Sequence, residues 1–145
     1  MSPPLDQIDP RGPRFTAWVT TVVLAAVLVT ESGELLAFQA VVFALGAFAG
    51  LQYSPYAAVY RTFVQPRLSA PTEREDAAPV RFAQGVGFAF AVVGAVGYLA
   101  GLPVLGHVAT AFALIAAFLN AAFGFCLGCQ MYLLTRRLAS RSLTN

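Results

Sequence analysis

The chain has no lysine, one histidine, one tryptophan and two cysteines, and only 11% of its 145 residues are charged. Each scarcity excludes something. A soluble domain carries about 25% charged residues, so a chain this poor in charge cannot cover itself with a polar surface. A net charge of +2 is too small to mark a nucleic-acid binder. A closed zinc site wants four ligands and the two cysteines supply half of them; no metal and no cofactor is expected. Asp, Glu, Lys, Arg and His are missing between Arg14 and Glu31, Glu34 and Arg61, Arg81 and His107, and His107 and Arg136. Proton relays and voltage sensors need charge inside the membrane, which disfavours a conventional proton-coupled carrier.

What fills those windows is apolar. The chain is 58% hydrophobic with a mean hydropathy of +0.69. A spanning helix needs about 17–25 apolar residues. The expected fold is therefore an all-α membrane protein with four transmembrane helices, arranged as two parallel-repeat helical hairpins. It forms a single membrane domain over 1–145, with spans at 15–32, 35–54, 82–101 and 104–126. A cytoplasmic loop is expected over 61–81 and a cytoplasmic tail over 136–145. Glu31-Ser32-Gly33-Glu34 and Gly101-Leu102-Pro103 make the short turns. Val29-Thr30-Glu31-Ser32 lacks a small-x-small cleavage pattern, so the first window is read as a retained span.

All nine basic residues are arginine, and they occupy three places. Arg11 and Arg14 precede the first span; Arg61, Arg67, Arg74 and Arg81 separate the second and third; Arg136, Arg137 and Arg141 follow the fourth. The positive-inside bias puts both termini and the central loop in the cytoplasm of a multi-pass protein. The lipid bilayer is its first partner. The alanine-, valine- and arginine-rich composition fits a high-GC bacterium and its inner (plasma) membrane.

The two halves repeat. Arg14-Phe15-Thr16 corresponds to Arg81-Phe82-Ala83, each preceded by acid and proline: Asp9, Pro10 and Pro13, then Asp76 and Pro79. Near the far ends, Ser54-Pro55-Tyr56-Ala57-Ala58-Val59-Tyr60 aligns with Cys126-Leu127-Gly128-Cys129-Gln130-Met131-Tyr132. An even number of spans in each half gives both copies one orientation. Glycines recur at spacing four, Gly46 with Gly50, Gly97 with Gly101 and Gly124 with Gly128, which suits close helix packing in lipid. Gln39, Gln52, Gln84 and Asn120 are expected to hydrogen-bond between helices. His107 has no acidic neighbour in sequence and is assigned no chemistry.

Cys126 and Cys129 are the candidate site. Counted from His107 at about 1.5 Å per residue, Cys126 is nearly a membrane thickness away, on the arginine-rich side. On a continuous helix the two sulfurs share a face, which suits a disulfide or a soft metal ion. If the second half copies Ser54-Pro55, a helix N-cap and first turn, the chain instead breaks near Gly124. Cys126 then opens a helix whose dipole stabilises a thiolate. Arg136 and Arg137 lie about two turns further on. Ordinary packing of two small residues is the competing reading.

Arg14-Phe15, Tyr53-Ser54-Pro55, Arg81-Phe82-Ala83-Gln84-Gly85-Val86-Gly87 and Gly124-Phe125-Cys126-Leu127-Gly128-Cys129-Gln130-Met131-Tyr132 resemble an uncharacterised bacterial membrane family, domain of unknown function 4395. The resemblance covers nearly the whole chain and implies a bacterial membrane protein, with no activity attached. The leading expectation is thiol-disulfide or sulfane-sulfur exchange through Cys126 and Cys129 with a cytoplasmic thioredoxin or sulfurtransferase. A non-enzymatic scaffold or subunit with structural cysteines, and a small-solute sulfur permease, are the alternatives. The sequence leaves open whether the chain is an enzyme.

Overall fold

The computed structural model describes residues 7–71 and 74–144. Local chemistry sets most element boundaries. Helix α1 (Arg11–Thr30) starts beside Asp9, whose Oδ1 accepts the Arg11 N–H at 3.0 Å. It stops at Glu31, a left-handed residue with φ 55° whose N–H bonds the Val27 carbonyl. Helix α2 (Gly33–Ala44) is capped by Ser32, which accepts the Leu35 N–H at 3.0 Å. Its last turn widens into a π turn, Leu45–Ala49, which Gly50 ends with φ 135°. A 3-10 turn (Leu51–Tyr53) leads to α3 (Pro55–Val59), which runs on as a π turn, Tyr60–Val64. Helix α4 (Ala77–Leu99) is capped by Asp76, and α5 (Pro103–Phe123) opens on proline and ends at Gly124 with φ 70°. Helix α6 (Leu127–Thr144) completes the chain. Two short strands, β1 (Gln7–Ile8) and β2 (Glu75–Asp76), pair antiparallel, Gln7 with Asp76 and Ile8 with Glu75.

Helices α1, α4 and α5 are long and apolar enough to cross a membrane, and Gly33–Ala49 is a shorter apolar helix. The protein is an all-helical, multi-pass membrane protein. The helices do not follow the charge-free windows throughout. The helix inside the expected 35–54 span breaks at Gly50, and that inside 104–126 ends at Phe123. Charge patterning records where lipid excludes charge, whereas these two ends are set by backbone turns at glycine. In the expected 136–145 tail, the described part to Thr144 continues α6.

Leu24, Val27, Leu36, Ala40, Phe43, Ala91, Ala95 and Ala113 form the interior cluster. Large apolar side chains such as Val29, Val104 and Phe112 face outward, as a lipid solvent permits. The main packed pairs are α2 on α4, α1 on α5 and α4 on α5. Where α4 meets α5, a Cβ on Gly97 would lie 2.7 Å from the Gly106 nitrogen, so only glycine allows that backbone approach.

Contacts between the halves and within each half recur in pairs, from side chains that the sequence repeat aligns. Arg14 on α1 donates from Nη2 to the Ala121 carbonyl, in the last turn of α5, at 3.0 Å. Arg81 on α4 donates from Nε and Nη2 to the Ala47 carbonyl at 3.1 and 2.9 Å, in the last turn before Gly50. Phe15 packs on Tyr60 and Phe82 on Tyr132, both with ring centroids 5.8 Å apart. Helix α3 lies on α1, and α6 lies on α4. Ile8 and Glu75, which the repeat aligns, pair with each other in the ladder.

At the opposite end, His107 is held by two partners. Its Nδ1 lies 2.9 Å from the Tyr98 hydroxyl and its Nε2 lies 3.1 Å from a Glu31 oxygen. Glu31 is remote in sequence, so local context did not show it.

Removing an arginine cap should loosen the join between halves. Arg14→Ala should lower stability by on the order of 1–2 kcal/mol, the scale of a hydrogen bond from a charged donor. The measurement is the thermal midpoint in detergent. Arg81→Lys should restore only part of what Arg81→Ala loses, because an ammonium cannot reproduce the two-nitrogen contact to Ala47.

Candidate functional site

Gly124 ends α5, and the Phe125 N–H reaches back to the Leu119 carbonyl at 3.2 Å. Two residues later the Cys126 carbonyl accepts the Gln130 N–H at 3.1 Å, the first bond of α6. Cys126 therefore occupies the N-cap position, and its Sγ accepts the Cys129 N–H at 3.1 Å. Sulfur takes the place that a serine or aspartate oxygen holds in the usual cap. Of the two arrangements open to the sequence, the interrupted chain is the one found. Cys129, one turn on, is joined to Cys126 as a disulfide with a Cα–Cα separation of 5.2 Å. Both residues are half-buried.

Gly128 explains how close this helix start lies to α4. A Cβ there would sit 2.5 Å from the Ala83 Cβ and 2.6 Å from its Cα. The pair thus sits where α6 presses on α4. Cys126 also lines a cavity of about 240 Å³ together with Thr20, Gln84, Gly87, Asn120 and Met131. Its walls are mostly apolar.

The first half has its own version of this corner. Ser54 stands at the N-cap of α3 with φ −66° and ψ 133°, yet its hydroxyl caps nothing. It is buried, and its Oγ has no hydrogen-bond partner among the described residues. Tyr56 enters the bundle and donates to Gln39 Oε1 at 2.7 Å, so Gln39 bonds between helices as expected. Ser54 lines a cleft of about 800 Å³, which also includes Asp9, Arg61 and Arg81. Gln52 lines this cleft, and Gln84 borders both cavities.

Arg136 does not reach the cysteines through any hydrogen bond. It donates to the Tyr132 hydroxyl at 3.4 Å and stacks 5.9 Å above that ring. Residues without an assigned chemical role in the sequence reading are Asp9, Tyr60 and Ser54, the last read there only as a helix N-cap. Only the repeat drew attention to them. Asp9 Oδ2 accepts from the Arg11 guanidinium and from the Tyr60 hydroxyl, each at 2.9 Å. Burial pushes the Asp9 carboxyl up, but the hydrogen bonds from Arg11 and Tyr60 outweigh it and leave it below the ordinary value.

Residues 8–137 match the family described as Domain of unknown function (DUF4395). The chain belongs to this family. The match takes in both halves, both arginine caps and the cysteine pair, so the DUF4395 region is nearly the whole structure described above. Comparison with curated proteins finds no match, and neither does comparison with solved structures.

Two outcomes follow from this DUF4395 corner. Gly128→Ala should force α6 away from α4, lowering stability by about 1–3 kcal/mol, as overpacking does. Ala83→Gly in the same chain should recover only part of the loss, because the residue-83 Cα would still lie 2.6 Å from the new Cβ, measured as thermal midpoints of the single and double variants. Because the folded Asp9 pKa is depressed, its stabilising contribution is present above the unfolded value and lost as pH falls through the folded one. Asp9→Asn should therefore show less loss of stability than the parent between about pH 5 and pH 2, followed by acid titration of the thermal midpoint.

Proposed function

We propose that this DUF4395 protein is an inner-membrane thiol protein that exchanges disulfide or sulfane sulfur with a cytoplasmic partner through Cys126 and Cys129. The observation that carries the reading is the Cys126 sulfur at the start of α6, hydrogen-bonded to the Cys129 amide. In the reduced protein the Cys126 thiolate attacks a partner disulfide, forming a mixed disulfide and releasing the first partner thiolate. Cys129, as its thiolate, then attacks the Cys126 sulfur and releases the second. The partner gains two electrons, and Cys126 and Cys129 become the disulfide. With a persulfide donor, the Cys126 thiolate takes the terminal sulfur and the donor leaves as its thiolate. A thioredoxin or a sulfurtransferase has the chemistry to be that partner.

The membrane arrangement belongs to the same proposal. Four spans form two hairpins of one orientation, the shorter Gly33–Ala49 helix serving as the second span. The paired arginine caps and paired aromatic contacts support a twofold relation along the membrane normal. The arginines then face the cytoplasm together with both termini and the cysteines.

The scaffold reading draws on one observation, the tight seat of Gly128 on Ala83, which a purely structural corner would also need. The readings part on substitution. Cys129→Ser should trap a mixed disulfide on Cys126, recovered from inside-out vesicles supplied with an oxidised dithiol protein, and Cys126→Ser should abolish it. In the reduced parent, a membrane-impermeant maleimide should label Cys126 in inside-out vesicles and leave right-side-out vesicles unlabelled. Labelling only in right-side-out vesicles defeats the cytoplasmic assignment. Absence of any trapped adduct, with both variants stable and correctly inserted, favours the scaffold.

A further inference from the structure

The cleft beside Ser54 contains no cysteine and plays no part in the thiol proposal, yet it is the larger of the two spaces, at about 800 Å³ against about 240 Å³. Its lining is strongly one-signed. Arg61, Arg74 and Arg81 border it, and Asp9 is its one acidic residue among those described. Asp9 is already engaged, by Arg11 and by Tyr60.

The arginines retain unused donors. A guanidinium carries five N–H groups. Arg61 uses Nη2 to bond the Gln52 carbonyl at 2.9 Å. Arg81 uses Nε and Nη2 on the carbonyls of Ala47 and Phe48. Arg74 has no hydrogen-bond or ion-pair partner among the described residues, although it lines the space.

A second observation points the same way. Ser54 is only 4% exposed, lines the cleft, and leaves its Oγ without a partner. A buried hydroxyl with no partner is destabilising, and an acceptor placed in the cleft would relieve that. Its counterpart in the repeat, Cys126, has its side chain occupied by the cap bond to Cys129.

We infer that this cleft binds a phosphate-type oxyanion, either free or carried on a lipid head group, through Arg61, Arg74 and Arg81 with the Ser54 hydroxyl donating to one oxygen. The planar guanidinium fork can donate to two oxygens of such a tetrahedral group at once. The volume exceeds a bare phosphate and leaves room for the group that bears it. The cleft's three arginines belong to the end of the bundle that the proposed topology sets among head groups.

The test uses the full-length protein in nanodiscs of phosphatidylglycerol or of phosphatidylcholine, with lipid retention read by native mass spectrometry. Inorganic phosphate titrated onto detergent-solubilised protein forms the second arm. Retention of phosphatidylglycerol over phosphatidylcholine assigns a lipid head group; saturable phosphate binding without lipid preference assigns a soluble anion. In either case Arg74→Gln should weaken binding about tenfold, the loss of one charged hydrogen-bonding partner. Ser54→Ala should weaken it less, and Arg137→Gln, on exposed α6, should leave it unchanged. The inference is overturned if neither arm shows binding, if Arg74→Gln and Ser54→Ala both bind as the parent does, or if Arg137→Gln weakens binding equally, since that reports surface charge alone. Folding of each variant is checked by its thermal midpoint, and Arg74, which has no partner among the described residues, keeps the test readable.

Discussion

A helix that stops leaves up to four carbonyls without partners, and lipid offers none. Two helices stop near the arginine-bearing face, α2 beyond its π turn at Gly50 and α5 at Gly124. In each case a guanidinium from the other half meets the exposed carbonyls: Arg81 those of Ala47 and Phe48, and Arg14 that of Ala121. A cation at a helix C-terminus also opposes the negative end of the dipole. The glycine turns set where these helices end, and the arginine contacts satisfy the carbonyls left there and hold the halves together. Ser54 and Cys126 open the next helices just beyond those turns.

The two corners differ by one atom type at matching positions. An oxygen at Ser54 and a sulfur at Cys126 each occupy an N-cap. The hydroxyl is buried and unpartnered, whereas the sulfur accepts an amide and is bonded to a second cysteine. Alignment of Ala57 with Cys129 adds the second thiol to one side only. One architecture thus presents a charged cleft on one side and a thiol pair beside an apolar cavity on the other. Gln84 borders both spaces, so the two are neighbours in the structure.

Helices α1, α4 and α5 were legible because a lipid-solvated helix must be free of charge over its length, and charge is visible in sequence. The end of α2 was less legible, since a π turn and a glycine at φ 135° leave no mark in a charge pattern. The helix start at Cys126 could be anticipated only through Ser54-Pro55, where proline announces a first turn. The His107 to Glu31 contact was hidden because it joins a residue near the short turn of one half to the short turn of the other. The arginine-lined cleft was hidden for the same reason: Ser54 and Arg61 come from one half and Arg74 and Arg81 from the other, and no single segment contains it.

The absence of lysine acquires a structural meaning in this arrangement. Topology alone needs positive charge on one side and would accept either basic residue. Four arginines here do more, each donating to a main-chain carbonyl: Arg11 to Ser69, Arg14 to Ala121, Arg61 to Gln52 and Arg81 to Ala47. Such a contact must reach across an element while remaining charged, and several donors in one plane let a single side chain hold two acceptors. Arg11 does this with the Asp9 carboxylate and the Ser69 carbonyl together. The positive-inside signal and the caps of the interrupted helices are therefore supplied by the same side chains. Orientation in the membrane and closure of the bundle at that face are not independent properties of this chain.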